Sequence, residues 1–68
     1  MKRTFITRLP NKAGAFLKAT RIVAQSGANI TRVSYNKAVD THTLFIEAEG
    51  APEQLARADA LLTDIGYL

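Results

Sequence analysis

Leu9-Pro10-Asn11-Lys12-Ala13-Gly14-Ala15-Phe16 joins an extended run, Lys2 to Leu9, to a helical pattern that starts near Ala15. Pro10 has no N–H to give a sheet ladder, so the strand ends there. Gly14 has no Cβ, so a ligand or another backbone can approach closely. Asn11 can cap the turn or contact a ligand with its side-chain amide. A helix that starts at such a turn presents free backbone N–H groups and the positive end of its dipole, which together favour an anionic group. A plain capped connection between strand and helix accounts for the same residues.

Outward from this turn the chain alternates between two periods. Lys2 to Leu9 reads as a strand with Phe5, Thr7 and Leu9 on one face and Thr4, Ile6 and Arg8 on the other. Ala15 to Ser26 reads as an amphipathic helix with Phe16, Ala19, Thr20, Val23 and Ala24 as its apolar stripe. Lys18, Arg21 and Gln25 lie opposite, and Ile22 falls toward that polar side. Gly27 suits the left-handed stop of this helix. Asn29 to Tyr35 is a second strand. Ile30, Val33 and Tyr35 break strict alternation there, which predicts a bulge or an edge position. Residues 36–40 read as a turn or hairpin loop. Thr41 to Glu49 alternates cleanly, with Leu44, Ile46 and Ala48 on one face. Pro52 to Ile65 is a second helix, with Leu55, Ala58, Leu62 and Ile65 as its stripe and Glu53 four residues before Arg57. Tyr67 and Leu68 read as the first residues of a fourth strand.

One apolar stripe per helix and one apolar face on the sheet are satisfied together when both helices pack on the same side. The expected fold is therefore α+β, a ferredoxin-like βαββαβ sandwich with an antiparallel sheet, two helices on one face, and a fourth strand truncated or absent. The 68 residues allow one domain, spanning 1–68. A core of that size supplies few kcal/mol and needs staples or partners, and with no Cys there is no disulfide. No apolar run is long enough to span a bilayer, and no signal-peptide pattern opens the chain, so a cytoplasmic protein without a membrane partner is expected.

The net charge is +3, and all six acidic residues lie at Asp40 or later while eight of the nine bases precede it. A nucleic-acid footprint, attraction between the two halves or between two copies, and a solvated surface all fit that asymmetry. Chemistry is sparse. The single histidine, His42, has no co-ligand nearby in sequence and reads as structural. Glu47 and Glu49 share a strand face without apolar flanking and read as a solvated sheet edge. With one His and no Cys, no nucleophilic set can be assembled, so no catalytic residue, metal site or cofactor is expected. For RNA, only Phe45 and Tyr35 could stack on bases, and no RNP-type motif accompanies them.

The turn from Leu9 to Phe16, the helix after it, Gly27-Ala28-Asn29-Ile30 and the third strand together resemble an ACT domain, a small regulatory module attached to many enzymes of amino-acid metabolism. The family's turn reads roughly Asp-x-Pro-Gly followed by a small residue and Leu. Here Asn11 stands for the acid and Ala13 for the proline. Asn retains an acceptor oxygen without the charge, and Ala leaves φ unset. The family's Gly-x-Asn-Ile at the helix exit is intact.

The resemblance implies a regulatory, non-catalytic module, paired side by side with a second copy and binding an amino acid at the interface. Asn11, Lys12, Ala13, Gly14 and Ala15 would form the turn side of a pocket, and Asn29 and Ile30 of the neighbouring copy the other side. The implied partners are a free amino acid or similar small zwitterion, a second copy of the chain, and an enzyme domain or partner. A zwitterion needs donors for its carboxylate, available near Gly14, and an acceptor for its ammonium, available on Asn11 or Asn29. Two alternatives keep the fold and change the role. One is a ligand-free dimerisation module, and the other, weaker, is a nucleic-acid-binding plait.

Overall fold

The computed structural model describes residues 1–10, 13–35 and 42–68. The elements are β1 (Lys2–Arg8), α1 (Ala15–Gln25), β2 (Asn29–Tyr35), β3 (Thr43–Glu49) and α2 (Pro52–Asp64). The strands form one antiparallel sheet in the order β1-β3-β2. Helix α1 packs on β2 and β3, and α2 packs on β1 and on α1. This is the ferredoxin-like α+β arrangement. The expected turn over 36–40 and the expected strand start at Thr41 lie outside the described residues.

Strict alternation on β3 sets the core. Leu44, Ile46 and Ala48 point into the helix layer and are fully buried, against Phe5 of β1, Val23 of α1, and Leu55 and Leu62 of α2. Thr7 is buried among them, and its hydroxyl donates to the Leu44 carbonyl at 2.8 Å, so no polar group is stranded there. On β2 the register shifts between Ile30 and Arg32, which places Ile30 opposite Ala48 and Val33 opposite Ile46. The bulge thus brings Ile30, Val33 and Tyr35 to the helix side despite their broken alternation. Among the described residues β2 pairs only with β3, so it is also an edge.

Four expectations need correction. The buried stripe of α1 is Ala15, Ala19 and Val23, with Ile22 partly buried against the core, whereas Phe16 is 49% exposed and Ala24 is exposed. The stripe is rotated because α1 meets the sheet through its smallest side chains, with Phe16 displaced to the flank. Ser26 joins the buried side, and its hydroxyl donates to the Val23 carbonyl at 2.5 Å. Glu47 and Glu49 lie on the central strand, not a sheet edge. They face the side without helices, where Glu47 accepts the Thr31 hydroxyl at 2.8 Å. Arg57 donates to the Ser26 carbonyl at 3.2 Å, while Arg3–Asp59 is the ion pair among the described residues, so Glu53 and Arg57 form none. The carbonyl end of α1 attracts that guanidinium more effectively than an exposed carboxylate one turn away. Helix α1 also closes one residue early, at Gln25, and α2 at Asp64.

Gln54 caps α2 and lies against Gly27, just past the end of α1. Its side-chain oxygen accepts the Ala51 N–H at 2.8 Å, capping α2. An added Cβ at Gly27 would stand 2.7 Å from the Gln54 amide nitrogen, and Gly27 has φ +97°, so only glycine fits there. After α2, Gly66 turns the chain and the Tyr67 carbonyl accepts the Arg8 N–H at 2.7 Å. Tyr67 therefore lies beside β1, where the fold places a fourth strand.

The rotated stripe has a direct test. Ala19→Leu overfills a site with no exposed surface and should cost about 1–3 kcal/mol. Phe16→Ala should cost less than about 1 kcal/mol, since half of that ring is already in water. Urea denaturation of both variants checks the order, and a larger loss at Phe16 would restore the stripe expected from the sequence.

Candidate functional site

The turn into α1 is held at its base by two backbone hydrogen bonds, Arg8 N–H to Tyr67 and Leu9 N–H to the His42 carbonyl at 2.6 Å. Leu9 is buried and anchors the strand end in the core. His42 is exposed just before β3 and meets the turn through this carbonyl. Asn11 and Lys12 lie outside the described residues.

Ala13 and Gly14 are exposed. Gly14 has φ +84° and is the N-cap of α1, without a side-chain cap and without an acid in the first turn. Intrahelical bonding begins with Lys18 N–H to the Gly14 carbonyl at 2.9 Å. The N–H groups of Ala15, Phe16 and Leu17 thus precede the first helical bond and keep the unneutralised positive end of the dipole beside them. Ala15 is buried, so its backbone N–H is what it can offer a ligand. A Cβ added at Gly14 would meet nothing within 4 Å, so the glycine answers to its dihedral angle and not to crowding within the protomer.

Asn29 and Ile30 are elsewhere. Asn29 is exposed at the start of β2, opposite Glu49, and Ile30 is partly buried against the core. Glu49 pairs with Lys2 at the far end of β1, whereas Arg8 pairs with Thr43 at the end from which the turn departs. Six strand steps at about 3.3 Å each separate the two ends by roughly 20 Å. Within one protomer the two halves of the expected pocket are not brought together.

The sheet face without helices carries Ile6 opposite Phe45, with Ser34 on Phe45's other side. Ile6 is 57% exposed and Phe45 37%. Thr4, Arg32, Ser34 and Glu47 join Phe45 around a shallow hollow. Tyr35 lies opposite Leu44, on the helix side, so the two aromatics weighed for base stacking do not share a platform. Glu47 and Glu49 also put negative charge on the face a phosphate backbone would approach. Among the described residues no group of three His, Asp or Glu side chains is placed to hold a metal ion. Among the described residues no helix is long and apolar enough to cross a membrane.

A second hollow lies between the end of β1, the first turn of α1 and the turn after α2, with Arg8, Lys18 and Tyr67 in its walls. Sequence reasoning missed it because its residues come from opposite ends of the chain. The one available signal was Tyr67, an aromatic just past a helix stop.

The chain is similar in structure to a protein provisionally described as a glycine cleavage system transcriptional repressor, with a TM-score of 0.81 and 22% identity over 96% of this chain. It spans 38% of the length of that protein. At this identity the likeness is one of fold. No protein-family model matches the chain, and no curated protein matches it.

The dihedral role of Gly14 predicts a particular pattern of substitution. Gly14→Ala should cost about 1–2 kcal/mol through its left-handed backbone alone, and Gly14→Asn less, because Asn tolerates that region. Thermal and urea unfolding of the two variants measure the difference, and equal stability of all three proteins would remove the strain argument.

Proposed function

We propose that this chain is an ACT-like regulatory module, itself non-catalytic, that binds a free amino acid at a side-by-side interface between two copies. The observation that carries the reading is the relation of the open β2 edge to the start of α1. Two copies joined antiparallel along β2 would set the Asn29 end of one strand beside the Tyr35 end of the other. Tyr35 pairs with Leu44, at the sheet end from which the turn to Gly14 departs. The helix that starts at Gly14 packs on β2 and β3. Asn29 and Ile30 of the neighbouring copy would then approach the leading N–H groups of α1, which supplies both halves of a zwitterion site.

The surface beside β2 supports the same pairing. Val33 and Tyr35 face the helix side yet remain 39% exposed each. Phe16 lies across the buried stripe of α1 from Lys18, and Lys18 borders the end of α2, so Phe16 is on the β2 flank. These three side chains form an apolar margin that a copy would cover. The regulatory description of the structurally similar protein agrees with a non-catalytic role.

Subunit mixing tests the shared pocket. Asn11→Ala and Asn29→Ala should each weaken amino-acid binding about tenfold to a hundredfold, the cost of one hydrogen bond to a charged group. Exchange between the two mutants gives heterodimers in which one pocket carries both lesions and the other carries none. Calorimetry with the free amino acids should then recover tight sites in part of the population. If no tight sites return, the pocket is not shared. If the wild-type dimer gives no heat with any amino acid, the fold serves dimerisation alone.

A further inference from the structure

The charge asymmetry of the sequence becomes a division of the helix layer. Helix α1 carries Lys18 and Arg21 and no acid, whereas α2 carries Glu53, Asp59 and Asp64 against Arg57 alone. Asp59 is taken by Arg3, and the Arg57 guanidinium donates to the Ser26 carbonyl. Among the described residues Lys18, Arg21, Glu53 and Asp64 belong to no ion pair. Two cations on one helix thus lie beside two carboxylates on the next. The helices pack against each other and run antiparallel, since Gln54 at the start of α2 lies against Gly27 past the end of α1, and Ile65 borders Lys18 at the other end. The outer surface of this layer also carries apolar side chains. Leu17 is 55% exposed and lies four residues before Arg21, across α1 from the buried Ala15, Ala19 and Val23. Leu61 is 43% exposed and stands one turn before Ile65, so it borders α1. Ala24 and Ala60 are exposed and small, which leaves room for another helix to approach.

We propose that the helix layer docks on the helix layer of a second copy, back to back, with α1 of each copy over α2 of the other. A two-fold axis midway between the layers and parallel to the helices produces that arrangement. The axis keeps each residue at its own height along the helices, so Lys18 stands level with Asp64 of the opposite copy. Arg21 lies a turn further along, between the heights of Asp64 and Glu53. Leu17 and Leu61 approach each other across the interface and leave water. An axis running across the helices would instead set α1 on α1 and α2 on α2 and bring like charges together, so the charges select one orientation. The layer is separate from the β2 edge, and this pairing stands whether or not an amino acid binds there. Both pairings together would close four copies.

Two charge variants isolate this pairing. Lys18→Glu with Arg21→Glu makes both helices acidic, and Glu53→Lys with Asp64→Lys makes both basic. All four positions are exposed, so both variants should keep the wild-type circular dichroism. Neither should pair back to back with itself. Mixed one to one they should pair, because the acidic α1 then meets a basic α2 and the acidic α2 a basic α1. Sedimentation of the mixture should show particles with twice the subunits of either variant alone. The acidic variant is nearly neutral overall, so net charge does not drive the mixing. In the wild type the amide shifts of Leu17, Arg21, Leu61 and Asp64 should move with protein concentration, and less so as salt rises. Leu17→Ser and Leu61→Ser should each weaken association about tenfold, since each leucine has roughly half its surface left to bury and occurs twice in the pair. The proposal is overturned if either charge variant associates as the wild type does, if the mixture gains no mass, or if concentration-dependent shifts fall only on β2 or on the sheet face without helices. It is equally overturned if the helix layer shows no dependence on concentration, for that face then serves a different partner.

Discussion

Leu44, Ile46 and Ala48 have no exposed surface, and the strand that carries them is hydrogen-bonded on both sides. Both helices close over that inner row, so the period of two on β3 is the constraint on which the other elements depend. A slip of one residue would turn Phe45, Glu47 and Glu49 inward and bury two carboxylates. The central position of β3 accords with its clean alternation. The one register shift lies on β2, which among the described residues is bonded on one side, and bulges are common on such strands.

The row on β3 in turn dictates how α1 sits. Ala15 and Ala19 face inward and let the helix approach closely, and Ser26 follows them into the core because its hydroxyl has the Val23 carbonyl as partner. Phe16 and Lys18 are consequently pushed to opposite flanks of the same turn. One flank adjoins the β2 edge and the other adjoins the end of α2. A helix that buries its small residues has its large ones left for contacts outside the core.

The element order, the boundaries to within two residues, the bulge or edge at β2 and the inner faces of β1, β3 and α2 were legible in the sequence, because each rests on local period and turn chemistry. The inversion of Phe16 and Ile22 was not. Size suggests the ring as the anchor of α1, and only the burial in the folded chain shows that Ala15 and Ala19 take that place while Phe16 stays half exposed. The separation of Gly14 from Asn29 was equally hidden. Both motifs are short and close in sequence, and it takes the strand register to place them at opposite sheet ends. The hollow around Tyr67 needed still more, since it joins residues from both ends of the chain that no local pattern links.

The bulge on β2 bears on how selective an added strand would be. A flat open edge accepts many strands, and native edges are blunted against this by charge, by bulges and by short length. Thr31 is the extra residue between Ile30 and Arg32, so the edge is regular only from Arg32 to Tyr35, with Asn29 and Ile30 set off by the kink. In the proposed pairing a second copy brings the same kink at the complementary position. With the Asn29 end of one strand beside the Tyr35 end of the other, the regular run from Arg32 to Tyr35 of each copy would lie along the kinked end of its partner. An arbitrary extended segment without a bulge would match four residues and then diverge. The irregularity that disturbs the ladder inside one protomer thus blunts this edge against promiscuous pairing, as bulges on native edge strands do.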